Sequence, residues 1–126
     1  MAEATFRHGA PTMVDYTPAA GAITEGQVVL LGSVTANTAG EGAVACIAHR
    51  PIANNELGAL AVGGGVYDVV NLNNAANGKK VYWDDTNNKV TTVSTNNAVF
   101  GWIAASGGGG ANSTAKAIHA PYHNVN

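Results

Sequence analysis

From Gly26 onward, short stretches rich in Val alternate with clusters of Gly and Asn, and no window of helical length keeps an apolar stripe at three-and-four spacing. The pattern predicts an all-β chain. Candidate strands are GQVVLLGSV (26–34), GAVACIAHR (42–50), LGALAVGGGVYDVV (57–70, broken at its glycines), KKVYWD (79–84), KVTTVS (89–94), AVFGWIAAS (98–106) and STAKAIHA (113–120). Helix, if present, is confined to a turn or two near NLNNAAN. Short strands at regular spacing between turn residues point to a small β-barrel or sandwich, whose edges have to be closed, paired or charged.

Two segments fall outside this rhythm. Residues 1–22 contain two prolines and no sustained alternation, so they read as an extended N-terminal arm lying outside the barrel. The arm's apolar side chains then need a partner, either their own domain or a neighbouring molecule. Residues 23–120 form the β-domain, and residues 121–126 read as a polar C-terminal tail.

Composition weakens the expected core. Of the 58 hydrophobic residues 23 are Ala, against 14 Val, five Ile and five Leu. Alanine contributes little of the apolar surface whose burial stabilises a fold at roughly 25 cal/mol per Å², so contacts between subunits are expected to add to stability. Only 11% of residues are charged and the net charge is -2, which leaves no basic groove for nucleic acid. No apolar run approaches the roughly 20 residues of a membrane-spanning helix, and the N-terminus lacks a basic segment leading into an apolar one. Cys46 has no second cysteine to pair with, and it alternates with Val44 and Ala48 as an inward-facing core thiol does.

Candidate chemistry reduces to turns and loops. In GKKVYWDDTNNKVTT (78–92) two carboxylates stand beside two asparagines, but strand-forming residues flank them, and Asp and Asn side chains cap nearby backbone amides in turns. A calcium loop begun at Asp85 requires glycine at its sixth position and glutamate at its twelfth, where Val90 and Asn96 stand. VGGGVY (62–67) lacks dinucleotide spacing, and NGKKV (77–81) lacks the Ser or Thr of a phosphate loop. His119 and His123 are separated by a proline and have no nearby Cys or carboxylate to complete a zinc set; His8 and His49 would have to join them through the fold. Asn112-Ser113-Thr114 fits a glycosylation acceptor, but in a chain without a secretion signal it reads as a loop. No catalytic residue, cofactor site or metal site is expected.

Four phrases, in this order, carry a resemblance: VDYTPAAGAITEGQVVLLG (14–32), IANNELGALAVGGGVYDVV (52–70), GKKVYWDDTNNKVTT (78–92) and VFGWIAAS (99–106). They resemble the capsid cement, or head decoration, proteins of tailed bacteriophages. The hairpin core Gly78, Lys79, Val81, Tyr82, Trp83, Asp84 and the later Gly101-Trp102 pair are similar to that family's motifs. The resemblance implies a small β-barrel or sandwich with an extended N-terminal arm, acting as a non-enzymatic structural protein on the outer surface of the capsid in the virion. The implied partners are the major capsid protein and further copies of the chain, most simply in a trimer, with no nucleic acid and no membrane. Candidate capsid or subunit contacts are Phe6, Arg7, His8, Met13, Val14 and Tyr16 in the arm, and Tyr122 in the tail, which runs beyond the family's usual closing strand. The alternative is a surface module that recognises glycans through Tyr67, Tyr82, Trp83, Trp102 or Tyr122. The two readings differ in whether exposed aromatic residues gather in a solvent-facing pocket or vanish at a subunit contact.

Overall fold

The computed structural model describes residues 3–34 and 42–121. They form ten strands: β1 (Thr5–His8), β2 (Thr12–Tyr16), β3 (Val28–Gly32), β4 (Ala43–Ile47), β5 (Gly58–Gly63), β6 (Val66–Asn71), β7 (Lys80–Asp84), β8 (Lys89–Thr91), β9 (Ala98–Ala105) and β10 (Ser113–His119). One sheet has the order β1-β6-β10-β9-β7-β8, and the other β2-β5-β4-β3. The larger sheet curls until β8 meets the end of β6 in a parallel pair at Asn71 and Val90. The result is a sandwich whose larger layer is rolled towards a barrel.

Large and small side chains interlock between the layers. Trp83, Tyr67, Phe100, Ile47 and Ile103 share the main core with Ala43, Ala45, Ala61, Ala98, Ala115 and Ala117. Alanines opposite aromatic rings allow the sheets to approach, which is how a chain poor in Leu and Ile fills its interior. Strand β4 is apolar on both faces. Ala43, Ala45 and Ile47 enter the main core, whereas Cys46 and Ala48 face a second, smaller core with Ile23, Val29, Ile52 and Leu60. Cys46 is fully buried and its thiol is pushed up to about 11 by desolvation, so it is an inert packing group.

The N-terminal segment departs from expectation. Residues 5–8 and 12–16 are strands rather than an unpaired arm: β1 pairs antiparallel with β6, and β2 pairs antiparallel with β5. Backbone geometry explains the arrangement. The chain crosses from one sheet to the other twice, at Gly9–Pro11 between β1 and β2 and at Gly63–Gly65 between β5 and β6, and the two corners lie against each other. A Cβ at Gly9 would sit 2.7 Å from the Gly65 Cα, and Gly9, Gly64 and Gly65 all have positive φ. Only glycine permits that approach with that backbone. Upstream, Ala4 is buried, its N–H donates to the Gly26 carbonyl, and the Val28 N–H donates to Glu3 Oε1 at 2.8 Å.

Two polar stretches resolve into loops. In the β7–β8 hairpin, Asp84 Oδ1 accepts from the Thr86 and Asn87 backbone amides, and the Asn87 side-chain amide donates to Asp84 Oδ2. Asn88 completes the turn at positive φ, and Trp83 Nε1 donates to Asp85 Oδ1 at 3.1 Å. Both carboxylates are therefore committed to the turn. NLNNAAN forms no helical turn, because the buried Asn71 side chain exchanges two hydrogen bonds with the backbone of Ala75.

The His119 ring is fully buried. Its Nε2–H donates to the Ala45 carbonyl at 2.7 Å, joining β10 to β4 across the main core, while Nδ1 has no partner among the described residues. Desolvation pushes its pKa down to about 4.

At Gly101 a Cβ would sit 1.8 Å from the Ile118 carbonyl oxygen, with φ at +154°. Gly101→Ala is expected to lower stability by about 3 kcal/mol or more, and the melting temperature by about 10 °C, by strain and forced displacement of β10. An unchanged melting temperature would disprove the constraint. For His119, the unfolded chain takes up a proton near pH 6.5 whereas the fold resists it down to about pH 4, so stability present at neutral pH is lost on acidification through that window. Urea denaturation at pH 7 and pH 4 is expected to show about 3 kcal/mol more loss in the parent chain than in His119→Gln, and equal losses would refute it.

Candidate functional site

Among the described residues five large hydrophobic side chains are exposed: Phe6, Met13, Val14, Leu57 and Val93. Three of them, Phe6, Met13 and Leu57, line one groove, so the exposed apolar surface is gathered rather than scattered. The groove encloses about 620 Å³ between β1, β2 and the connection from β4 to β5. Its remaining walls include Pro11, His49, Arg50, Pro51 and Ala59.

The fold positions each wall for a local reason. Phe6 stands opposite Tyr67 in the β1–β6 ladder, and Met13 stands opposite Ala61 in the β2–β5 ladder. Tyr67 and Ala61 both belong to the main core, so Phe6 and Met13 extend the inner faces of the two sheets beyond the point where the sandwich is filled. The β1–β2 corner holds them at a fixed separation.

Opposite them, the connection leaving β4 is anchored twice. His49 Nε2 pairs with the Tyr67 hydroxyl at 2.6 Å, and the Phe6 ring lies 4.7 Å from the His49 ring, centroid to centroid. Burial lowers the His49 pKa and pushes the Tyr67 hydroxyl up, so this hydrogen-bonded pair is neutral. Aromatic contacts continue inward from Tyr67 to His119, Phe100 and Trp83 at centroid distances of 5.7, 5.1 and 5.9 Å. One wall of the groove is thus continuous with the core.

Further along, the connection forms a tight turn. Asn55 adopts positive φ and its N–H donates to the Pro18 carbonyl, Asn54 Oδ1 accepts from the Gly21 N–H, and the Glu56 N–H donates to the Ala53 carbonyl. Leu57 follows this pinned turn and is 70% exposed. Arg50 is the only lining residue with a fixed charge; it is exposed and makes no ion pair among the described residues.

The sequence-predicted contacts divide accordingly. Phe6 and Met13 meet in the groove. Arg7 turns the other way and pairs with Asp68, which also binds Lys116 Nζ at 2.9 Å, so Arg7 braces β1 against the larger sheet. Val14 stands opposite Leu60, on the side of the second core, and Tyr16 packs against that core. His8 is exposed at the end of β1, and Tyr122 lies outside the described residues. Sequence reasoning missed His49, Arg50, Pro51 and Leu57. The available signal was Leu57 itself, an isolated large apolar residue in the polar run ANNELG.

Of the aromatics proposed for glycan recognition, Tyr67 and Trp83 are fully buried. Tyr82 and Trp102 are half-buried, with Lys80 Nζ 5.6 Å from the Tyr82 ring centre. No group of His, Cys, Asp or Glu among the described residues is arranged to hold a metal ion.

No curated protein and no solved structure matches the chain. A family model, that of phage cement proteins, matches it over residues 7–118. The matched span contains both sheets and most of the groove, including both glycine corners and the turn before Leu57, while Phe6 and residues 119–126 lie outside it. A match of that extent shows that the chain belongs to the phage cement protein family, as a non-enzymatic structural protein that associates with the phage capsid and stabilises it.

Proposed function

We propose that the protein binds the outer surface of the phage head as a homotrimer and bridges neighbouring capsomers through the major capsid protein. The observation that carries this reading is the gathering of exposed apolar side chains on and around the two N-terminal edge strands, where a capsid-associated protein without catalytic machinery has surface to offer a partner. Phe6 and Met13 serve contacts within the groove. His8 and Val14 lie outside its walls and are assigned to the shell, with Tyr122 in the tail as a further contact. Arg7 and Tyr16 act indirectly by holding β1 and β2 in place.

Bridging has a physical logic. Packaged DNA presses the shell outward, and a protein attached to two subunits opposes their separation. Three linked attachments exceed a single one by about 10²- to 10⁴-fold when their geometry matches the sites, so each contact needs only modest strength. A contact burying on the order of 800 Å² per partner is sufficient for stable association.

The test uses purified shells lacking the protein. Added protein is expected to co-sediment at fixed stoichiometry and to raise the temperature at which the shells come apart. Val14→Asp is expected to weaken shell binding about tenfold while leaving the mass of the free protein, measured by light scattering, at three protomers. Shells that take up no protein would overturn the capsid reading. A mass of one protomer at every concentration would overturn the trimer.

A further inference from the structure

The groove holds an unpaired cation within apolar walls, and beside it the same chain presents a complementary shape. Leu57 projects from a turn held by three hydrogen bonds, and the residue before it is the exposed carboxylate Glu56. Neither Glu56 nor Arg50 has an ion-pair partner among the described residues. An apolar knob preceded by a carboxylate is what a socket of Phe6, Met13 and Pro51 with Arg50 among its walls accepts. We propose that the groove is the docking site for a second copy of this chain, whose Leu57 enters between Phe6 and Met13 and whose Glu56 meets Arg50. The inference rests on the self-association proposed above and identifies its surface.

Several features favour a second copy over an unrelated segment. Knob and socket both stand on elements fixed before contact, the pinned turn on one side and the two glycine corners on the other, so docking orders little chain. The lining residues include no Asp or Glu, so an incoming carboxylate meets attraction without opposing charge. Leu57 also borders the groove of its own chain, so each copy carries knob and socket side by side. A copy that offers its knob to one neighbour and its socket to another makes a heterologous contact, which closes into a ring when the rotation permits.

Arg50 and Leu57 are exposed, so their substitution leaves both cores intact. The full-length protein is followed by light scattering over a range of concentrations. Arg50→Glu, Glu56→Arg and Leu57→Asp are each expected to raise the dissociation constant of self-association at least tenfold. In an equal mixture of the Arg50→Glu and Glu56→Arg chains, a mixed trimer has two interfaces where opposite charges meet at positions 50 and 56 and one where like charges meet, so the mixture is expected to assemble more tightly than either variant alone and less tightly than the parent. An ion pair within one chain could not be rescued by mixing. If the parent assembles and the three variants assemble equally well, the groove inference is overturned and the proposed assembly stands. Variants that keep the parental mass but no longer bind shells would overturn it too, by giving the groove to the capsid protein. A parent that stays monomeric at every concentration overturns both readings.

Discussion

The close approach of two backbone corners governs this structure. Gly9 lies against Gly65 and Pro11 against Gly64, at the places where two neighbouring strands leave one sheet and enter the other. A side chain at Gly9 would force the corners apart. With the corners in contact, β1 follows β6 and β2 follows β5, so residues 5–16 trace the same bend as residues 58–68. The inner-facing residues on each side of the bend, Phe6 and Met13, are then turned towards a common space. That space lies beyond the filled part of the sandwich, and it is the groove. Backbone sterics at two glycines thus determine where the exposed apolar surface collects.

The opposite wall depends on neutral polar groups in the interior. Tyr67 shares a hydrogen bond with His49 at the groove and packs edge-on against His119, which binds the Ala45 carbonyl of the other sheet. A charged ring at either histidine would need solvation that the alanine-rich interior cannot supply, and burial keeps both neutral near neutral pH. Each hydrogen bond here joins elements distant in sequence. The polar contacts therefore fix the relative placement of the sheets, while the interlocked aromatics and alanines provide most of the buried area.

What could be read in the sequence followed from local period. Strands β3 to β10 each carry a Val-rich or alternating stretch bounded by Gly, Asn or Asp, and the break at Gly63–Gly65 was visible as a glycine run. Strands β1 and β2 gave no such signal, since edge strands exposed along nearly all their length need not alternate. Their pairing depends on partners about 45 to 60 residues away, with Gly9 facing Gly65 as the only trace. Cys46 was legible as a buried core thiol alternating with Val44 and Ala48, but a strand buried on both sides does not reveal which core each face enters. Half the groove, His49 to Ile52 and Leu57, is assembled by tertiary packing of a connection whose composition reads simply as polar loop. The resemblance of four ordered phrases to cement proteins pointed to the family from short motifs, and the hairpin among them proved to be a turn that consumes its own carboxylates.

Edge strands are ordinarily a hazard, because unpaired backbone groups recruit other chains without specificity. Here each N-terminal edge is short, Arg7 on β1 is tied to Asp68, and Asp15 on β2 adds a charge. These features discourage indiscriminate pairing along the backbone. The apolar side chains are set in a concave groove instead of along a flat edge, so only a partner with a matching projection buries them. A protein whose role is to hold a shell together has to associate readily yet only in defined geometry, and a thin core gives it little stability to spare on strain. Placing the sticky surface where backbone corners already fix its shape meets both demands at once, because the constraint that closes the fold also limits what can bind to it.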